Sequence, residues 1–324
     1  MRESDLIERI TARAALRPGV QLGVGDDAAI VEVDGRAVVS QDLLVDGVHF
    51  RLSTTGARDL GHKALAVNLS DLAGMGARPV AAFVGLVLPH ESFGRDDFDA
   101  LYDGLEELAA EHRVTVAGGD LSAGPALTLA VTVIGVPHPG IEPVRRSGAG
   151  AGDLLCVTGS LGAAAAGLLL LEDPSLAVHS ADPGRLRDAQ RRPVPRVSEG
   201  RSLAGRGATA MMDLSDGLAI DAERLARASG LRAVVHLGAV PVADGVAAVA
   251  AAAGRDARIL AATGGEDYEL LAAVPADRVD GLRALLDVPL TPVGHLEEGA
   301  PGLEARGASG EAIELESPGW EHDI

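Results

Sequence analysis

The stretch HKALAVNLSDLAGMGARPVAAFVGLVL (62–88) decides the fold class. Its first part places Leu65, Leu69 and Leu72 on one helical stripe, and its second, VAAFVGLVL (80–88), is an apolar run of strand length. The reading is a helix over 58–76 that leads into a strand over 80–88. At ~100° per residue Asp71 projects about 120° from the leucine stripe, and Asn68, three residues earlier, is its neighbour. Working outward, AVVS (37–40), VTVAG (114–118) and LTLAVTVIGV (127–136) read as strands and 95–112 as a helix. The segment VPHPGIEPVRRSGAGAGD (136–153) is dense in Pro and Gly without an apolar period, a domain junction that divides 1–140 from 141–324. Beyond it come strand DLLCVTG, helix 161–171, a polar Pro/Arg-rich passage over 173–201, strand ATAMMD and helix 217–229. Strand RAVVHL, an Ala-rich helix near 243–254, strand YELLAAV and a helix near 276–286 complete the series. Alternating strands and helices predict an α/β (α+β) protein of two domains.

Composition narrows the function classes. Of 324 residues 47% are hydrophobic and only 2% aromatic, so the cores are built from Ala, Leu and Val. Against 28 Lys+Arg stand 47 Asp+Glu, a net charge of −19, which argues against nucleic acid or an anionic membrane as partner, since each needs a cationic footprint. Lys63 is the only lysine, which excludes a GxxxxGK[ST] phosphate loop. Cys156 is the only cysteine, so no intrachain disulfide and no cysteine-based zinc site are expected; in DLLCVTG it reads as a core residue. MRESDLIERI is a charged helix start rather than a signal region, and no apolar run reaches the ~20 residues of a membrane span. The expectation is a soluble, cytoplasmic, acidic protein.

Several aspartates fall at the ends of apolar runs among small residues: Asp26 and Asp27 in LGVGDDAAIV, Asp42 ending VVSQD, Asp120 ending VTVAGGD, and Asp213 with Asp216 in MMDLSDG. Singly, each is a turn former or helix cap. Strand-end loops in α/β folds tend to converge on one rim, and if these carboxylates meet there, their repulsion calls for cations or raised pKa values. Oxygen donors without Cys and with few His favour Mg²⁺ over zinc. GVGDDA matches GxGxxA, but AAIVEV after it reads as a strand, so the helix N-terminus a dinucleotide needs is missing. TGSLGAAAAG (158–167) follows a strand and opens a helix, which leaves two readings, an anion on its N–H groups or a plain turn. Trp320, the only tryptophan, either caps a core or stacks on a flat ligand.

Together GVGDDAAIV, SQDLLVDGVHF, HKALAVNLSDLAGMGARP, AGGDLSAGP, RRSGAGAGDLLCVTGSLGAAAAGL, MMDLSDGL, GGEDYELL and the GW at 319–320 resemble the thiamine-monophosphate kinases, in the superfamily of aminoimidazole ribonucleotide synthetase and selenophosphate synthetase. The resemblance implies a two-domain aminoimidazole ribonucleotide synthetase-like fold. Residues 1–140 would form the ATP- and metal-binding domain, whose sheet pairs in a homodimer, and 141–324 a C-terminal α/β domain. It implies phosphorylation of thiamine phosphate by ATP with several Mg²⁺ ions and no catalytic general base. Metal positions fall on Asp27, Ser40, Gln41, Asp42, Asp71, Asp120, Asp213 and Asp216. ATP contacts fall on Tyr102, Gly119, Asp120, Arg146 and Ser215, and substrate contacts on His49, Glu266 and Trp320. Gln41 stands where the family usually carries Thr, so a main-chain contact survives the change and a hydroxyl contact does not. A reactive cysteine in a Gly-rich N-terminal segment, as in selenophosphate synthetase, is missing. An aminoimidazole ribonucleotide synthetase-like ligase is the enzymatic alternative, and a non-catalytic divalent-metal-binding scaffold the alternative from another class.

Overall fold

The computed structural model describes residues 3–23, 28–33, 35–89, 92–176, 178 and 182–321. The chain divides into two units, Met1–Leu72 with Ala77–Pro137, and Ala73–Gly76 with His138–Ile324.

The first unit holds α1 (Glu3–Arg13), β1 (Val20–Leu22), β2 (Ile30–Val31), β3 (Val38–Val45), α2 (Ala57–Gly74, its last residues counted with the second unit), β4 (Ala77–Leu88), α3 (Arg95–His112), β5 (Thr115–Ala123) and β6 (Thr128–Pro137). A four-stranded sheet runs β3-β6-β4-β5, with only β4 and β5 parallel. Strand alternation gives the sheet two unlike faces. Ser40, Asp42 and Leu44 share one with Leu129, Val131 and Val133, whose leucines and valines are buried. Val39, Gln41 and Leu43 share the other with Ile134, Thr132 and Ala130, and there Val39 is 59% and Leu43 52% exposed. Helices α2 and α3 touch backbone to backbone, because a Cβ on Gly61 would lie 1.9 Å from Leu101 O and one on Gly104 1.9 Å from Arg58 O.

Two expectations need correction here. Helix α2 buries Leu65, Leu69 and Leu72 as expected and leaves Asp71 half-buried, but its buried surface extends past that stripe: residues 60–70 are buried all round, Lys63, Asn68 and Ser70 included. Asp42 does not end its strand, nor does Asp120. Both lie inside longer strands, since hydrogen-bonded pairing with β6 and β4 carries SQDLLV and GGDLSA onward despite their polar residues.

In the second unit, β7 (Leu154–Thr158), β8 (Ala210–Asp213), β9 (Arg232–His236), β10 (Leu270–Val274), β11 (Leu290–Glu297), β12 (Gly302–Arg306) and β13 (Ala312–Ile313) form a sheet ordered β13-β12-β9-β11-β7-β10-β8. Only β9 and β12 pair in parallel. Helices α4 (Ala163–Glu172), α5 (Pro183–Arg191), α6 (Val197–Arg206), α7 (Leu218–Ser229), α8 (Val246–Ala252), α9 (Ala257–Thr263) and α10 (Val279–Arg283) surround it. Alternation again sorts the core. Leu155, Val157, Met212 and Leu271 pack with Leu218 and Leu225 of α7, while Cys156, Met211, Leu270 and Ala272 pack with Leu203 of α6 and Leu282 of α10. Cys156 is fully buried, as expected, and burial pushes its thiol up to about 12. The polar passage 173–201 hides α5 and the start of α6. The signal for α5 was local: Asp182 accepts from Gly184 N at 3.0 Å and Arg185 N at 3.2 Å, with Pro183 next to it.

The Gly61–Gly104 contact gives a direct test. Gly61→Ala is expected to destabilise the protein by about 2 kcal/mol or more, because the methyl meets backbone that cannot rotate away. Gly281→Ala in α10, where an added Cβ meets nothing within 4 Å, should instead stabilise by about 0.5 kcal/mol. Urea unfolding of both variants against the parent measures the contrast.

Candidate active site

In the first unit the site residues are arranged by strand alternation. Ser40 and Asp42 both face α2: Ser40 Oγ donates to Asp71 Oδ2, and Asp42 N donates to Asn68 Oδ1 at 3.0 Å. Asn68, only 1% exposed, is itself fixed by Nδ2 donating to Ala64 O at 2.9 Å. Gln41 lies on the other face, where Thr132 Oγ1 donates to its Oε1 at 2.9 Å. The side chain of Gln41 is thereby separated from Ser40, Asp42 and Asp71 by the thickness of the sheet. His49 accepts from Val45 N through Nδ1 at 3.1 Å, which leaves the neutral ring its hydrogen on Nε2. Gly119 and Asp120 are exposed in β5, and no larger residue fits at Gly119, where a Cβ would lie 2.0 Å from Val84 O. Tyr102 departs from its expected role. It is 3% exposed, its ring 4.9 Å from that of Phe98, and burial raises its phenol, so in this conformation it offers no open ring face to adenine. Asp26 and Asp27 lie outside the described residues.

In the second unit the DLSDG turn is a strap laced on two sides by main chain. Leu214 N donates to Glu269 O at 2.8 Å, Tyr268 N to Leu214 O at 2.9 Å and Glu266 N to Ser215 O at 2.7 Å. From the other side Trp320 N donates to Asp216 O at 3.0 Å. Trp320 is thus anchored by its backbone while its side is 45% exposed, which disfavours the core-cap alternative. Asp213, the last residue of β8, is 4% exposed. Asp216 pairs with Arg224, which also reaches Asp221 Oδ1 at 3.0 Å. Burial, then the neighbouring Asp216, pushes the Asp221 carboxyl up to about 6. Arg146 is exposed, and its carbonyl accepts from Ser229 Oγ at 3.3 Å.

The three acids of GGEDYELL have three separate tasks. Asp267 accepts from Gly162 N at 2.6 Å and Ala164 N at 3.2 Å, so its carboxyl group caps the N-terminus of α4. The two readings of TGSLGAAAAG are resolved by an internal carboxylate. Glu269, 4% exposed, accepts from Thr158 Oγ1 at 2.7 Å and from Arg196 Nε at 2.8 Å and Nη2 at 2.5 Å. Glu266 accepts from Gln190 Nε2, and both Glu266 (φ 69°) and Tyr268 (φ 50°) have left-handed backbone, an arrangement that concentrates at functional positions.

The donors on these elements are carboxylate and hydroxyl oxygens, a set that fits a hard divalent cation. Among the described residues no three His, Cys, Asp or Glu side chains converge closely enough to hold a metal.

Comparison with known proteins gives this arrangement a family. The patterns of AIR synthase related protein, N-terminal and C-terminal domains, match residues 25–137 and 150–303. Thiamine-monophosphate kinase from Mycobacterium tuberculosis (strain H37Rv) is 40% identical over 262 residues, 78% of this chain and 75% of that protein. The chain belongs to the thiamine-monophosphate kinase family. The crystal structure of thiamine-monophosphate kinase from Stenotrophomonas maltophilia K279a superposes with a TM-score of 0.83 at 40% identity, covering 97% of this chain and 98% of that one. A structure of AaThiL complexed with AMPPCP and TMP gives 0.78 at 30% identity, covering 99% of each. This thiamine-monophosphate kinase family member therefore has the mixed α/β, two-domain architecture that its sequence implied.

Sequence reading missed Gln190, Arg196, Asp221, Arg224, Asp267 and Glu269. For Arg224 a local signal was present, three residues after Asp221 on one helix face; for Gln190 and Arg196 none was.

Asp267 predicts a pH dependence. Burial pushes its carboxyl up to about 7, outweighing the helix N–H groups that lower it. A raised native pKa means that the folded state holds a proton which the unfolded chain has released, so this contribution is full below about 4 and lost as pH rises through 7. In urea unfolding at pH 5 and pH 8 the parent should lose stability on going to pH 8, and Asp267→Asn should flatten that loss.

Proposed function

We propose that the protein transfers the terminal phosphoryl group of ATP directly to thiamine phosphate, giving ADP and thiamine diphosphate. The observation that carries this reading is the full-length likeness to a protein complexed with both AMPPCP and TMP. The acceptor is a phosphate monoester with a second pKa near 6, so at pH 7 it is already largely dianionic and needs no general base. Repulsion between two anionic phosphate groups is the obstacle.

Residues of each unit then have work that suits their chemistry. Ser40, Asp42 and Asp71, with Asp27 and Asp120, would hold Mg²⁺ in the first unit, and Asp213 and Asp216 in the second; Gln41 would contribute through its main chain only. Bound Mg²⁺ supplies the positive charge that makes an in-line transfer between phosphates tolerable. Arg146 offers a forked contact to phosphate oxygens, with Gly119 and Ser215 lining the nucleotide. His49, Glu266 and the exposed indole of Trp320 would take thiamine phosphate, whose cationic thiazolium and flat aminopyrimidine suit a carboxylate and an aromatic face. No helix of the described residues is long and apolar enough to cross a membrane. The exposed Val39 and Leu43, flanking Gln41 on one sheet face, would suit that face to a second copy of the chain in a homodimer.

ADP release should depend on thiamine phosphate and be negligible with thiamine or formylglycinamidine ribonucleotide, and chelation should abolish it. Robust turnover of the ribonucleotide would sink the kinase reading. Asp42→Asn should lose most activity while staying folded, because a carboxylate that serves to hold a cation adds repulsion rather than stability when the cation is absent. A melt well below the parent would show Asp42 to be structural.

Trp320→Ala should raise KM for thiamine phosphate roughly 2- to 30-fold, the scale of a stacking or cation–π contact, with KM for ATP nearly unchanged. Steady-state kinetics with each substrate varied in turn distinguishes this from a general loss, in which both constants rise together.

A further inference from the structure

Glu266 is gripped from a distance in sequence. Gln190 in the last turn of α5 is only 6% exposed, and its Nε2 donates to Glu266 Oε2. The backbone beneath Glu266 is fixed as well, left-handed at φ 69° and bonded from N to Ser215 O at 2.7 Å. Gln190 owes its own position to packing. A Cβ on Gly167 of α4 would lie 2.0 Å from Leu186 O of α5, so the two helices are locked at backbone contact. The N-terminus of α4 is capped by Asp267, the residue next to Glu266. Glu266 and Asp267 therefore clasp the α4–α5 pair at two points, one through Gln190 and one through the cap.

The chemistry of the clasp is selective. A neutral amide gives a carboxylate direction and removes none of its charge. Three residues after Glu266, Glu269 is instead bound by Arg196 through Nε and Nη2, which supplies a full opposite charge. We propose that Gln190 is a positioning residue, which orients the Glu266 carboxylate toward the cationic ring of thiamine phosphate and so helps to set the preference for a cationic acceptor. This inference rests on the phosphoryl-transfer reading above.

The test is steady-state kinetics on the full chain carrying Gln190→Leu, which loses the donor, and Gln190→Glu, which keeps the shape and places a like charge against Glu266. In Gln190→Leu, KM for thiamine phosphate should rise about tenfold, the scale of one bond to a charged group, while KM for ATP stays within about twofold and kcat changes little. Gln190→Glu should be worse on the same constant. Should Gln190→Leu melt far below the parent, the near-isosteric Gln190→Glu carries the test alone. Unchanged KM for thiamine phosphate, or an equal rise for both substrates, overturns the role of Gln190 in a parent that remains an active kinase. A parent that releases no ADP with thiamine phosphate overturns the underlying reading, and this inference with it.

Discussion

The buried carboxylate of Glu269 is the constraint on which the second unit depends. An ionised group taken out of water is tolerable only with an opposite charge and its remaining lone pairs occupied. Arg196 and Thr158 do both, and Thr158 Oγ1 in turn accepts from Leu270 N at 2.8 Å. This joins the head of β10 to β7 on one side. On the other, Leu270 pairs with Asp213 in register, and Glu269 O accepts from Leu214 N. The placement of Asp213, and of the strap that follows it, is thus a consequence of where Glu269 is held.

Much of this architecture was legible because it is written in short-range pattern. The helix over 95–112 and the strands beginning near 80, 114 and 127 follow from apolar runs and their periods. The tasks of individual acids were not legible, because each is decided by a partner far along the chain. Glu269 meets Arg196 across 73 residues, Glu266 meets Gln190 across 76, and Asp267 meets Gly162 across 105. Nothing in GGEDYELL distinguishes a helix cap, a buried ion pair and a carboxylate held by a glutamine amide. The family resemblance singled out Glu266, while the other two acids became intelligible only from their contacts.

The first unit shows a different limit. Polar residues inside SQDLLV and GGDLSA look like strand ends when hydrophobicity alone is followed, yet edge and partner pairing carry β3 and β5 through them. Once Asp42 is interior to a strand, alternation does the sorting: Ser40 and Asp42 go to the α2 face and Gln41 to the other. The helix they meet buries Leu65, Leu69 and Leu72 and the polar Asn68 as well, and Asn68 and Asp71 each take a partner from β3, Asp42 N and Ser40 Oγ.

Rigidity at Glu266 follows from the same economy of contacts. Left-handed backbone at a residue with a side chain costs on the order of 1 kcal/mol, and Glu266 and Tyr268 both adopt it, with Asp267 between them. Such a segment persists only where its surroundings over-determine it. Here Glu266 N and Tyr268 N are bonded to the strap, Asp267 caps a helix, and Glu269 is locked to an arginine. Each of those bonds serves the fold, and their joint effect is to fix the backbone at Glu266, whose carboxylate is then held by Gln190. A carboxylate fixed in advance would lose little entropy on meeting a ligand, so the structural use of Asp267 and Glu269 is what would suit Glu266 to the substrate role proposed for it.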